Sequence, residues 1–422
     1  MSSEISSLDK SLIRELFDLR SATNLHSGGG FHDDPYPTWK ELREKAPVHV
    51  GTPHELTGYF GPAVFQCLPE PDRPHYTAFS FEACDAAFRD ESVFVSSAPE
   101  TETDRSSASV NSSMLYMNGK QHRRYRTLVQ PSFTPAKAKW WMERWIQETV
   151  DALVENLLEG DGTADLNVDF CAAIPMLTIT GSFGISVDDA LTIRKSIQQG
   201  VQGNIETFMR ILTPILADRR DNPQDDLISV LIEAEITDDD GHKQELSDAE
   251  ILSFAYLLLA AGSGTTWKQM GITLAALLTH PEWLEAVRTD RALLRPAIEE
   301  SLRWTPTDPA FGRFVAQDID FYGVHIPRGA AIHLNLGAAN RDEARWENPN
   351  EYNPKRKVMP SLAFGSGPHV CLGMHVARAE MFVGINALLD KLPNLRLDPG
   401  KEAPRYIGFY ERGATEIPVI FG

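Results

Sequence analysis

The chain has 422 residues, of which 42% are hydrophobic and 23% charged, an ordinary composition for a folded globular protein. A formal net charge of −19 excludes broad binding to nucleic acid or anionic membranes, since both need a basic footprint, while leaving room for a local basic patch. Cys67, Cys84, Cys171 and Cys371 lie far apart with no CxxC pair, which argues against zinc or a redox dithiol and favours a reducing compartment.

Residues 1–30, Ser-rich and ending in Gly28-Gly29-Gly30, read as a loosely ordered segment; residues 31–422 carry no Pro/Gly/Ser-rich linker and read as one domain. The N-terminus mixes acids and bases without an apolar core, unlike a signal peptide. The longest apolar run, near Ile251 to Ala261, is too short to span a bilayer, so a cytoplasmic protein without a membrane anchor is expected. Strand-like runs appear near Pro47 to Val50 and Tyr59 to Phe65, and the polar stretch Thr101 to Ser113 reads as a mobile loop. His122 and Arg126 follow at i, i+4 spacing, which puts both on one helix face.

From Pro135 to Thr305 the pattern is mainly helical, with amphipathic runs at 137–159, 206–219 and 225–235. The stretch 190–205 between the first two is polar and short, as an incomplete or mobile lid would be. Ser247-Asp248-Ala249-Glu250 is a capping-box signature, and Pro281 stops the roughly thirty-residue helix that it opens. That helix is apolar nearly all round to Ala261, then carries Gly262, Ser263, Gly264, Thr265 and Thr266, poor helix formers at its middle. Phe254, Leu258, Ala261 and Thr265 share one face, so either a ligand or a close-packed helix approaches the backbone there.

Glu300 and Arg303 stand at i, i+3 on the next helical stretch, a spacing common on solvated faces and uninformative alone. Asp308 and Arg313 follow, and strand signals return at Phe314 to Ile326 and Thr415 to Phe421. The expected fold is therefore mainly α with a small β-rich lobe built from both ends of the chain.

The most informative segment is Phe364-Gly-Ser-Gly-Pro-His-Val-Cys-Leu-Gly373. Two glycines permit a tight loop, and the sequence after Leu372 reads as a helix, so Cys371 stands at a helix entrance where free N–H groups favour a thiolate. A thiolate is a soft donor suited to iron or copper. A lone cysteine is more often an inert buried thiol, but this loop resembles the F-G-x-G-x-H-x-C-x-G haem-binding loop of the cytochrome P-450 family at all six specified positions: Phe364, Gly365, Gly367, His369, Cys371 and Gly373. Six residues at about 5% each match by chance on the order of 10⁻⁸ times per start site.

The resemblance extends over most of the chain from about residue 35. It implies the P-450 fold of a bacterial-type soluble member, with haem b between the central helix and the cysteine loop. It implies Cys371 as iron ligand, His122, Arg126, Arg313 and His369 as partners of the haem propionates, and Glu300–Arg303 as a structural ion pair behind the loop. The family's A-G-x-[D/E]-T-T pattern reads Ala261-Gly262-Ser263-Gly264-Thr265-Thr266 here, so Thr265 holds the alcohol position but Gly264 replaces the acid. A glycine cannot relay a proton. Water, another carboxylate such as Asp308, or a different reaction can account for the change; Asp308 can equally bind a polar group on the substrate.

The implied activity is that of a monooxygenase: reductive activation of O₂ at the haem iron, then hydroxylation or epoxidation of a hydrophobic small molecule of terpenoid, steroid or aromatic type. Phe254, Leu258 and Asp308 are the candidate substrate contacts. Electrons from NAD(P)H are expected through a ferredoxin or flavodoxin-like donor with its reductase. That donor would meet Arg123, Arg124, Lys355, Arg356, Lys357 and Arg378, which lie in segments on the thiolate side of relatives. Gly264 keeps a peroxygenase or redox-neutral haem enzyme as the alternative, with a non-catalytic haem sensor further off.

Overall fold

The computed structural model describes residues 10–17, 31, 33–59, 73–98, 113–196, 200–237 and 241–422. Its axis is the helix Asp248–Thr279, 32 residues long, which at 1.5 Å rise per residue spans about 48 Å. The expected capping box opens it: Ser247 Oγ accepts from the Glu250 amide at 3.3 Å, and Glu250 Oε2 accepts from the Ser247 amide at 2.8 Å. His280 ends it, and Pro281 begins the next helix.

Four elements clothe this central helix. The helix Ala173–Ser182, buried at every residue, lies along it, as do Leu294–Trp304, Met374–Lys391 and part of Gly200–Asp221. Two of its glycines exist for these contacts. A Cβ at Gly262 would sit 2.4 Å from Ile179 Cδ1, and one at Gly271 would sit 2.5 Å from Asn167 Oδ1. Close packing therefore accounts for part of the small-residue patch. The run expected at 137–159 is continuous from Pro135 to Leu158, with a π turn at Met142–Ile146. The run at 225–235 is shorter, a helix over Leu227–Ile232 followed by the strand Glu235–Thr237.

The β lobe is a five-stranded sheet ordered Val48–Val50, His75–Ala78, Ala331–Asn335, Ala310–Val315 and Phe94–Val95. Ala331 pairs in parallel with His75 and antiparallel with Phe314, so residues from both ends of the chain build it, as expected. The Phe314 to Ile326 signal resolves into the end of one strand and a hairpin, Ile319–Phe321 with Val324–Ile326. Near the C-terminus, Pro418–Ile420 pairs with both Arg396–Leu397 and Thr163–Asp165.

Within the N-terminal thirty residues, Lys10–Leu16 is a helix rather than loose chain. Leu16 and Phe17 are buried, and Arg14 makes a two-pronged ion pair to Asp169 at 2.8 and 3.0 Å. The apolar set Leu12, Ile13, Leu16 and Phe17 gives this helix a core face that the Ser- and Gly-rich flanks conceal in sequence. Residues 60–65 of the second expected strand and 101–112 of the expected loop lie outside the described residues. Of the segment 190–205, Val187–Ser196 and the start of Gly200–Asp221 are helical, and 197–199 also lie outside.

Candidate active site

The loop before Met374–Lys391 owes its shape to glycine. Gly365 and Gly367 have φ of +68° and +69°, the left-handed region that side chains avoid. A Cβ at Gly367 would meet the Phe88 carbonyl oxygen at 2.3 Å. The Cys371 amide donates to the Phe364 carbonyl at 2.8 Å, closing the loop. The Cys371 side chain is left facing a cavity of about 360 Å³. Burial pushes its thiol up; a bond from the Gly373 amide and the charge of Arg126 and Arg378 oppose that, and Asp308 adds to it.

The central helix forms the opposite wall. Phe254, Leu258, Ala261, Gly262, Thr265 and Thr266 all line the cavity, so the expected face is the one presented. Thr265 Oγ1 donates to the Ala261 carbonyl at 2.9 Å. Gly264 points elsewhere and does not line the cavity. Asp308 does line it; burial and the neighbouring Glu411 push its carboxyl up to about 7, against the pull of Lys268.

A cationic group closes one side. His122, Arg126, Arg313 and His369 all line the cavity, and the His122 and His369 rings stack at 3.8 Å. His122 is 1% exposed, and neither ring nitrogen has a hydrogen-bond partner. Burial, then Arg126, Arg123 and Arg313, press it down to about 4. His369 is pressed to about 3 by burial, Arg313 and His122, while its Nε2 lies 3.1 Å from Ser96 Oγ. Burial also lowers Arg126. Every neighbouring charge acting on His122 has the sign of a cation, so this pocket is built to receive an anion.

Glu300 and Arg303 do not reach the cavity. They form a buried two-pronged pair, Nε to Oε2 at 2.8 Å and Nη2 to Oε1 at 2.7 Å. Arg303 also donates to the carbonyls of Asn340, Pro349 and Glu351 at 3.0, 2.8 and 3.1 Å. Arg356 Nε joins Glu300 Oε1 at 3.0 Å, so this residue belongs to the structural network rather than to a free surface patch. Asn340 Oδ1 in turn accepts from the Leu362 amide at 2.7 Å, two residues before the cysteine loop. Three more of the expected surface cations have acidic partners: Arg123 with Glu91, Arg124 with Glu250, and Arg378 with Glu299.

The cytochrome P450 family profile matches residues 189–405. The cytochrome P450 monooxygenase PikC of Streptomyces venezuelae is 32% identical over 93% of this chain and 92% of its own length. The biotin biosynthesis cytochrome P450 of Bacillus subtilis is 30% identical over 93% of this chain and 97% of its own. The crystal structure of P450BioI in complex with a hexadec-9Z-enoic acid ligated acyl carrier protein superposes with a TM-score of 0.77 at 30% identity, covering 92% of this chain and 98% of that one. The chain belongs to the cytochrome P450 family. It is thus an oxidoreductase of the P450 monooxygenase family, and haem is the cofactor that membership implies. The residues present fit that cofactor: the partnerless nitrogens of His122 and the cation cluster suit propionates, and Cys371, the one thiol among the described residues that lines the cavity, would hold the iron. Among the described residues no single helix is long and apolar enough to cross a membrane.

Sequence reasoning missed Ser96, Lys268, Glu380 and Glu411. Glu380 is buried one helical stretch beyond Cys371, lines the cavity, and has its carboxyl pushed up to about 8 by burial. Lys268 was open to detection, as the one charged residue between Ile251 and Thr279. A lone lysine in an apolar helix signals a partner. Glu411 carried no local signal.

Proposed function

We propose that the protein is a haem-thiolate monooxygenase in which Cys371 binds the iron and His122, Arg126, Arg313 and His369 hold the propionates. The observation that carries this reading is His122, a buried imidazole with both nitrogens unpaired beside three arginines. Leaving its N–H donor without a partner costs about 1–3 kcal/mol, a cost that a carboxylate on the cofactor would remove. When bound, haem supplies reductive activation of O₂ and insertion of oxygen into a C–H or C=C bond.

The protein's own residues hold, orient and protonate. The glycine-shaped loop fixes the direction of Cys371 Sγ, and the Gly373 amide with Arg126 and Arg378 favours its thiolate. The Glu300–Arg303–Arg356 network holds three loop carbonyls and, through Asn340, the strand of chain that enters the loop. On the other wall Thr265 spends its hydroxyl hydrogen on Ala261, which leaves its oxygen as an acceptor toward the cavity. Ala261 and Gly262 keep the wall thin beside it, and buried Thr266 lines the cavity next to it.

Electrons would come from NAD(P)H through a ferredoxin or flavodoxin-like donor and its reductase, in the cytoplasm; the acidic charge and sparse cysteines agree with that compartment. The substrate would be a hydrophobic small molecule of terpenoid, steroid or aromatic type, lying against Phe254 and Leu258 with any polar group toward Asp308. The complex of P450BioI with an acyl-loaded carrier protein favours a long acyl chain as a second reading. The test is the spectrum of the reduced protein under carbon monoxide: a strongly red-shifted Soret band is expected, and its absence in folded, haem-loaded protein overturns the reading. Spin-shift titration with a steroid, a monoterpene and a fatty acid then separates the substrate classes. Product formation with hydrogen peroxide but never with an electron donor would mark a peroxygenase instead.

A further inference from the structure

Lys268 is 2% exposed on a helix that is otherwise uncharged beyond Glu250. A buried ammonium is expensive unless paired, and its partner is Glu411, whose Oε1 lies 2.7 Å from Nζ. Glu411 arrives from far along the chain, in the turn joining Tyr406–Ile407 to Gly413–Ala414. Gly408 makes that turn possible: its φ is +99°, and a Cβ there would lie 2.1 Å from the Glu411 carbonyl oxygen. Arg412 fastens the turn to the cavity segment. Its amide donates to the Thr307 carbonyl at 2.6 Å, and Thr307 Oγ1 returns a bond to the Arg412 carbonyl at 2.8 Å.

The turn brings the Glu411 carboxylate onto the helix one turn before Lys268, where a Cβ on Gly264 would stand 3.5 Å from Glu411 Oε1. That is ordinary van der Waals contact, so the carboxylate rests on the bare backbone at the position where relatives carry their acid. The same carboxylate acts on two further groups, Asp308 on the cavity wall and buried Arg194. Its side chain remains 22% exposed, in reach of water on one side and beside the turn that bears Thr265 on the other.

We infer that Glu411, held by Lys268, supplies from the C-terminal hairpin the carboxylate that position 264 lacks, and passes protons from solvent toward Thr265. Glu411 takes a proton from water, releases it inward toward the Thr265 hydroxyl, and returns to its carboxylate form; only a proton crosses. Lys268 Nζ fixes one carboxylate oxygen throughout. Gly264 is then an adaptation: a side chain longer than a methyl there would compete with the incoming carboxylate for its place. This inference rests on the haem-thiolate monooxygenase reading, so the carbon monoxide spectrum of every variant is recorded first; losing that band sinks the reading itself and not the placement of Glu411.

The test uses the full-length, haem-loaded protein driven by a ferredoxin and its reductase, with dodecanoic acid as probe. E411Q should slow dioxygen consumption roughly 100-fold, the lower end of what a positioned acid contributes, and raise its solvent deuterium isotope effect. G264D/E411Q, which returns an acid to the helix beside the same lysine, should recover most of the rate. It should also recover the thermal stability that E411Q loses by leaving Lys268 unpaired, a readout independent of turnover. An E411Q enzyme at full rate, or one slowed with no rescue by G264D, overturns the assignment, as does equal slowing by D308N with E411Q unaffected. Should E411Q not fold, G264D/E411Q against G264N/E411Q makes the same comparison: a rate that depends on the acid supports the relay, and equal rates overturn it.

Discussion

The two walls of the cavity are made in opposite ways. The Cys371 wall comes from ten consecutive residues whose glycines and amide bond fix the loop locally, backed by an ion pair three residues apart. The central-helix side is assembled across the chain: Thr265 and Asp308 line the cavity from positions forty-three residues apart, and Lys268 pairs behind that wall with Glu411, more than a hundred residues beyond Asp308. A site built from contiguous residues carries its chemistry in its sequence. One built from distant residues can exchange a part, here an acid on the helix for an acid on a hairpin, while the local motif only looks damaged.

The largest expected effect lies on the first wall. Cys371→Ala removes the one thiol among the described residues that faces the cavity, so the red-shifted carbon monoxide band should vanish entirely even where haem remains bound. A retained band would mean that some other group ligates the iron, and the contrast between the walls would collapse.

The buried cations give the next test. Arg303→Met leaves Glu300 with Arg356 and the Asn353 amide and takes the Arg303 bond from the Asn340 and Pro349 carbonyls, so a loss of about 3–5 kcal/mol in denaturant unfolding is expected. Lys268→Met should cost far less, about 1 kcal/mol, because Methionine fills the same apolar site and Glu411 can turn to water. Equal losses would show that the Lys268–Glu411 pair is structural in the same sense as the Glu300 network.

This contrast also explains how much could be read beforehand. The cysteine loop, His122, Arg126, Arg313 and His369 converge on one cavity as expected, His122, Arg126 and His369 from short motifs and Arg313 from the family resemblance alone. Arg356 was misjudged as a surface charge because nothing near it in sequence reveals Glu300, which reaches it through the tertiary fold. The helix Lys10–Leu16 was hidden by its Ser- and Gly-rich flanks. Glu411 was invisible because hairpin docking, set by Gly408 and Arg412, decides what it touches.

A smaller effect concerns pH. His122 is held down to about 4 from its ordinary 6.5, so between those values it is neutral in the folded haem-free chain and protonated in the unfolded one. The unfolded state then binds more protons, and stability falls as pH drops through that window. Thermal unfolding of haem-free protein should show the loss below about pH 6.5, and H122Q should reduce it, with His369 supplying part of what remains. Bound haem should flatten it as well, because propionates offset the arginine charges; a slope unchanged by haem would remove His122 from the cofactor's partners.

The smallest effect belongs to the outer face. Of the six cations expected to greet an electron donor, Arg123, Arg124, Arg356 and Arg378 already hold carboxylates, while Lys355 and Lys357 are exposed. Lys355 also lies 5.7 Å over the Trp283 ring, close enough for a weak cation–π contact. Rim charges act mainly on encounter rates and are screened within about 8 Å at physiological salt. K355E/K357E should therefore slow reduction by a ferredoxin only a few-fold in low salt, and the difference should fade as salt rises. A stopped-flow rate insensitive to both the reversal and the salt would move the docking face elsewhere, without disturbing the loop that carries Cys371.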